Sequence, residues 1–211
     1  MTPKVLLATN NAKKLRELRR ILAAHDLAVE ILALADVEPY PEPAETEWTF
    51  EGNALIKARA GMAASGLPTL ADDSGLCVDA LGGMPGVRSS RWAGPQHDDQ
   101  ANLDLVLAQI DDVEAGRRGA HFVSVMALVM PDGEEFAVRG EMPGQIATTE
   151  SGGNGFGYDP IFIPDEQPGG LTAAELTGEQ KDAISHRGRS IAKILPILAQ
   201  QLGLELKSED V

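Results

Sequence analysis

The sequence predicts an α/β fold built around one long sheet. Three observations carry that expectation. Short apolar runs of strand length alternate with segments whose apolar residues recur at helical spacing. Residues 120–130 and 134–141 read as two strands joined across Pro131-Asp132-Gly133. The chain of 211 residues is 43% hydrophobic, so it can bury a sizeable core, and only 4% aromatic, so Leu, Ile, Val, Ala and Met must fill it. That length suits a single domain over residues 1–211, or one domain with two lobes around a cleft.

In chain order, residues 4–9 read as a buried strand and Asn10-Asn11 as an N-cap. Residues 13–25 form a helix with Leu15, Leu18, Ile21, Leu22 and His25 on one face. Residues 29–34 are a second strand, and 36–47 a loop rich in proline and acid. A helix over 49–65 carries Ala54, Leu55, Ala58 and Met62 as its stripe. Residues 69–71 and 76–80 are expected as two short strands flanking Asp72-Asp73-Ser74-Gly75. A turn covers 82–86 and a helix 102–110, before the hairpin. Residues 151–157 make a glycine-rich loop. Thr172-Ala173-Ala174-Glu175 reads as a capping box that opens a helix. A last helix runs over 189–202, with Pro196 expected to kink it.

The charge balance excludes several functions. With 18 basic and 32 acidic residues the formal charge is −14, which repels phosphate backbones and argues against nucleic acid or an anionic membrane as partner. Cys77, the one cysteine, cannot form an internal disulfide, and its setting between Leu76 and Val78 is that of a small buried residue. A reducing, cytoplasmic location is expected. The N-terminal apolar run is too short for a secretion signal or a membrane span.

Five constellations can carry chemistry. Thr9-Asn10-Asn11-Ala12-Lys13-Lys14 joins a strand to a helix N-terminus, where amides and lysine charge favour a phosphate; an ordinary cap with a solvated lysine pair is the alternative. An asparagine at 10 or 11 can adopt the positive φ that a tight strand-to-helix turn often needs. Asp72-Asp73-Ser74-Gly75 at a strand end suits Mg²⁺, or else an Asx-turn. Glu42, Glu45 and Glu47 precede Asn53 and Lys57; one of these acids could be a metal ligand and the rest solvated. The run from Gly152 to Pro160 sets Phe156 and Tyr158, two ring faces for a base, among glycines. Lys181 with Ser185-His186-Arg187-Gly188 forms a donor-rich cluster, or surface helix charge. Together they make phosphate, metal and base sub-sites.

On those motifs, joined by Thr49-Phe50-Glu51-Gly52-Asn53-Ala54 and Ala80-Leu81-Gly82-Gly83-Met84-Pro85-Gly86, the chain closely resembles the inosine/xanthosine triphosphate pyrophosphatase family. The motifs occur in family order from Lys4 to about Leu202. The resemblance implies an elongated mixed α/β sheet with flanking helices and two lobes around a central cleft, usually as a homodimer. It implies hydrolysis of ITP, dITP and XTP to the monophosphate and pyrophosphate with Mg²⁺. Thr9, Asn10, Asn11, Ala12, Lys13 and Lys14 would cradle the triphosphate, with family spacing favouring Lys14 as the charge, and Lys57 would also meet phosphate. Asp73 would bind Mg²⁺ and accept the proton of the attacking water, Glu45 would be a second metal-side carboxylate, and Ser74 would touch substrate. Phe156, Gly157, Tyr158, Asp159, Lys181, His186 and Arg187 would hold the base. The family usually has glycine where Asn10 stands. A phosphatase releasing orthophosphate and a non-catalytic nucleotide-binding module are the other classes; product identity separates the first, and the Asp72-Asp73 pair argues against the second.

Overall fold

A computed structural model describes residues 2–24, 27–167 and 169–205; the side chains of Glu17, Leu18, Ile21, Leu22 and Ala24 also fall outside the described set. Much of the expected stripe of the first helix, and His25, therefore lie outside the described residues. The elements in order are β1 (Lys4–Leu7), α1 (Ala12–Ala24), β2 (Glu30–Ala33), α2 (Phe50–Ser65), β3 (Thr69–Val78), β4 (Met84–Pro85), α3 (Asp99–Gln109), β5 (Gly119–Val129), β6 (Glu135–Ile146), β7 (Phe162–Pro164), α4 (Gly178–Ile184) and α5 (His186–Leu202). Six strands form a sheet in the order β2-β1-β3-β5-β6-β7, and β4 pairs with β3 off that path. The sheet is mixed. β1 runs parallel to β2 and β3, while β4 is antiparallel to β3 and β7 to β6.

The chain divides into two compact units: Met1–Asp73 with Ser124–Gly140 and Arg187–Val211, and Ser74–Val123 with Glu141–His186. Each has its own apolar core. In the first, Val5, Leu7, Leu70, Met126 and Leu128 of the sheet pack with Ile191, Ile194, Leu195 and Leu198 of α5, whose spacing of three and four residues makes one helix face. In the second, Leu76, Val78, Phe122, Met142 and Ile146 pack with Leu103, Val106 and Ile110 of α3. Among the described residues no helix is long and apolar enough to cross a membrane.

Four expectations are corrected. First, residues 69–78 are one continuous strand, with Asp72 and Asp73 in its middle; lysines reaching both carboxylates keep buried acids tolerable in a strand. Second, Thr172–Glu175 opens no helix. Glu175 accepts from Thr172 N at 2.8 Å, but the Thr172 hydroxyl goes to Ser151 O at 2.7 Å. The carbonyl of Ala174 takes Gly153 N and Asn154 N, so the segment seats the glycine loop. The helix starts later, capped by a box of Thr177 and Gln180. Third, the buried face of α2 is Phe50, Asn53, Ala54, Ala58 and Gly61, with Leu55 and Met62 only half-buried. Fourth, neither Asn10 nor Asn11 has a positive φ; among the described residues only His97 does outside glycine. Asn11 caps α1 with its side chain, accepting from Lys13 N at 3.0 Å and Lys14 N at 3.1 Å, and that capping satisfies the helix end without a left-handed turn.

Candidate active site

In the first unit the end of β1, the head of α1, the middle of β3 and the head of α5 bring one acid–base cluster together. Asp72 and Asp73 are neighbours in a strand, so their side chains leave on opposite faces and meet different partners. Asp72 is fully buried. Its Oδ2 accepts from Lys14 Nζ at 2.7 Å, its Oδ1 from the Ser124 hydroxyl at 2.9 Å, and Arg187 Nε lies 3.8 Å from Oδ1. Ser124 in turn shares a 3.0 Å hydrogen bond with Ser190. Burial pushes the Asp72 carboxyl up, but Lys14 and Arg187 outweigh it and hold it well below the usual carboxylate range. Asp73 accepts from Lys57 Nζ at 2.8 Å through Oδ1. Its Oδ2 is buried without a hydrogen-bond partner among the described residues. Burial raises this carboxyl against the opposing charges of Lys57 and Lys14. Lys57 also donates to Glu45 at 3.1 Å. Burial would lower its pKa, but Asp73 and Glu45 more than compensate and keep it charged.

Of the two lysines in the turn, Lys14 joins this cluster with only 16% of its side chain exposed, and Lys13 is exposed. Thr9 receives Asn11 N on its hydroxyl at 3.3 Å; Asn10 and Ala12 are exposed, and Ser74 is half-buried. Among the described residues no three acids, histidines or cysteines converge as a ready-made metal cage.

In the second unit the glycine loop wraps the Asp159 carboxylate. Its Oδ2 accepts from Phe156 N at 2.8 Å and from Lys181 Nζ at 2.7 Å. Gly155 has φ +76, and a Cβ there would collide with this carboxylate, so a glycine is needed. The Lys181 ammonium lies 5.4 Å from the centre of the Phe156 ring, a cation–π distance. Gly157 N points to Asp99 at 3.4 Å. Tyr158 corrects the sequence reading: its ring is core and its hydroxyl donates to Ser89 O at 2.8 Å, leaving Phe156 as the half-exposed ring of the loop. His186 stacks on Phe122 at 4.8 Å and 10°. His186 and Arg187 are buried, which removes the surface-helix alternative.

Sequence reasoning missed Ser124, Ser190, Phe122 and Asp99. Ser124 left one signal, a polar residue inside an apolar strand. The others left none, because their partners are remote in the chain.

The fold and the two clusters define a class: an α/β protein with a buried lysine–carboxylate centre on a mixed sheet and a separate glycine loop folded round an Asp–Lys pair. The chain belongs to the Ham1 family, whose model matches residues 5–197. It is 59% identical to a dITP/XTP pyrophosphatase of Nocardia farcinica over 93% of this chain and 95% of that one. Among solved structures it resembles a nucleoside-triphosphatase, dITP/XTP pyrophosphatase, from Mycobacterium abscessus, with a TM-score of 0.75 and 56% identity over 92% of this chain and 99% of that one. A Ham1 protein from Coxiella burnetii matches with a TM-score of 0.83 and 38% identity over 94% and 99% of the two chains.

Proposed function

We propose that the chain hydrolyses deaminated purine nucleoside triphosphates, ITP, dITP and XTP, to the monophosphate and pyrophosphate, with Mg²⁺ as its metal. The observation that carries this reading is the state of Asp73: one oxygen on Lys57, the other buried and unpartnered among the described residues. Such a carboxylate fits Mg²⁺, which needs only one or two protein carboxylates because phosphate oxygens and waters complete its shell. Asp73 and Glu45 would hold it, and when bound it supplies Lewis acidity to the phosphates.

This chain's own residues do the rest. The turn from Thr9 to Lys14 receives the triphosphate at the positive end of α1, with Lys14 as its charge. Lys14 and Lys57 neutralise charge on the departing pyrophosphate. Asp73, kept ionised beside the metal, accepts a proton from the attacking water through a polarised water. In the second unit Phe156 supplies a ring for the base, with Gly157, Asp159, Lys181 and His186 giving polar groups for its edge, and Tyr158 supports the loop from the core; in the first unit Arg187 would add a donor. A cytoplasmic homodimer completes the reading, and light scattering checks the mass.

The decisive experiment identifies the product. ITP with Mg²⁺ should yield IMP and pyrophosphate in equal amounts. IDP and orthophosphate as primary products would sink the reading in favour of a phosphatase.

A further inference from the structure

Asn53, Lys57 and Gly61 recur every four residues on α2 and so share one face. The acidic loop lies along that face in reverse order. At Asn53, which is fully buried, the side-chain amide grips one residue twice: Oδ1 accepts from Glu47 N at 3.0 Å and Nδ2 donates to Glu47 O at 3.2 Å. One turn on, Lys57 donates to Glu45 at 3.1 Å. One turn further the helix has no side chain, and a Cβ on Gly61 would sit 3.0 Å from the Tyr40 hydroxyl. Close approach is also built in at Gly52, where a Cβ would stand 2.6 Å from that of Glu47.

Residues 37–47 belong to no helix or strand, so their backbone register must come from elsewhere. A loop held only by Lys57 would be loosely placed, because a lysine is a point charge on a flexible stem that follows its carboxylate. The Asn53 amide differs. It pairs with a backbone N–H and C=O at once, as a neighbouring strand does, and is buried where losing that pairing is costly.

We propose that Asn53 is a positioning residue that locks the acidic loop in register along α2 and thereby sets where Glu45 presents its carboxylate. This rests on the reading of Glu45 as a metal-side ligand. Removing a group that bonds directly to a metal ligand typically costs about 10–100-fold in metal affinity, and Asn53 acts one step further out, through the backbone of Glu47, so the low end of that range is expected.

The test uses Mn²⁺ as a spectroscopically visible probe, its binding followed by electron paramagnetic resonance on wild type, Asn53→Ala and Glu45→Gln. Asn53→Ala should raise the Kd for Mn²⁺ by at least ~10-fold, and saturating Mg²⁺ should restore kcat with little change in KM for ITP. A residue that only stabilised the fold would lower Tm and leave the Kd alone, and that result overturns the proposal. If Glu45→Gln weakens Mn²⁺ binding while a folded Asn53→Ala does not, the proposal falls and the metal reading stands. If Glu45→Gln binds Mn²⁺ as wild type does, the metal reading fails and takes the proposal with it. Hydrogen exchange on the wild type needs no variant to fold: the Glu47 amide should be protected, and free exchange there overturns the clamp.

Discussion

At the residue scale the chemistry is a matter of which carboxylate owns which cation. Among the described residues Asp73 keeps one oxygen without a hydrogen-bond partner, so Asp73→Asn should lower turnover of ITP by at least ~10²-fold, the low end for losing general-base catalysis. Burial already disfavours the Asp73 charge and Lys57 keeps Glu45 as a partner, so the melting temperature should hold; near wild-type turnover would move the assignment to Asp72. Asp72 is the counter-ion of Lys14 and Arg187. Its folded carboxyl lies below the unfolded value of about 3.9, so its contribution is fully present above that value and is lost as pH falls towards the folded one. In the metal-free protein Asp72→Asn should therefore be less stable at pH 7 by about 3–5 kcal/mol, the cost of leaving buried charge uncompensated. Urea melts should show the gap shrinking below about pH 4; a gap constant with pH would place the effect in shape and not in charge. The proposed base choice rests on donors. Arg187 donates only, so, at the base edge as proposed, it would reward the 6-keto group of hypoxanthine and meet the 6-amino group of adenine donor to donor. Sites of this kind can discriminate by ~10⁴-fold. Arg187→Ala should lower kcat/KM for ITP far more than for ATP, and an equal loss on both would move base selection elsewhere.

At the element scale the glycine loop shows how a segment without regular structure is held in place. Its Gly153 and Asn154 amides donate to the Ala174 carbonyl, and Asp159 fills the space that Gly155 leaves. Gly155→Ala should cost about 1–3 kcal/mol in strain, and displace Asp159 from Lys181. The expected readout is a raised KM for ITP together with a lower melting temperature. Gly153→Ala is the control, because nothing lies within 4 Å of a Cβ there. A Gly155→Ala enzyme as stable and as tight for ITP as the control would show that the loop does not depend on that glycine. The helices were the elements most legible in the sequence. Thr49 caps α2, its hydroxyl accepting from Gly52 N, and Gly66 ends it at φ +69; both signals are local, and so is their physics. The strands were less legible. The Asp-Asp-Ser-Gly stretch has turn-forming residues, yet continues β3 because Lys14, Lys57 and Ser124, all remote in the chain, meet its carboxylates.

At the scale of the whole molecule each unit has its own core, and the first is closed by α5. Leu198 is fully buried in that core, so Leu198→Ala should cost about 2–5 kcal/mol by transfer and cavity formation. Turnover per folded molecule should be unchanged; a selective loss of activity would mean that α5 sets the site and does not merely close the core.

By itself the sequence determined the α/β class and, to within a residue, the bounds of α1 and α2, because caps and periodicity act over a few residues. Tertiary structure alone decided that Asp72 and Asp73 lie mid-strand with separate partners, and that Tyr158 is core while Phe156 stays half-exposed. It also decided that Thr172–Glu175 serves a loop in place of a helix. Each of those outcomes depends on which distant group arrives to pair with a buried charge or a backbone amide, and a local stretch of sequence carries no record of that encounter.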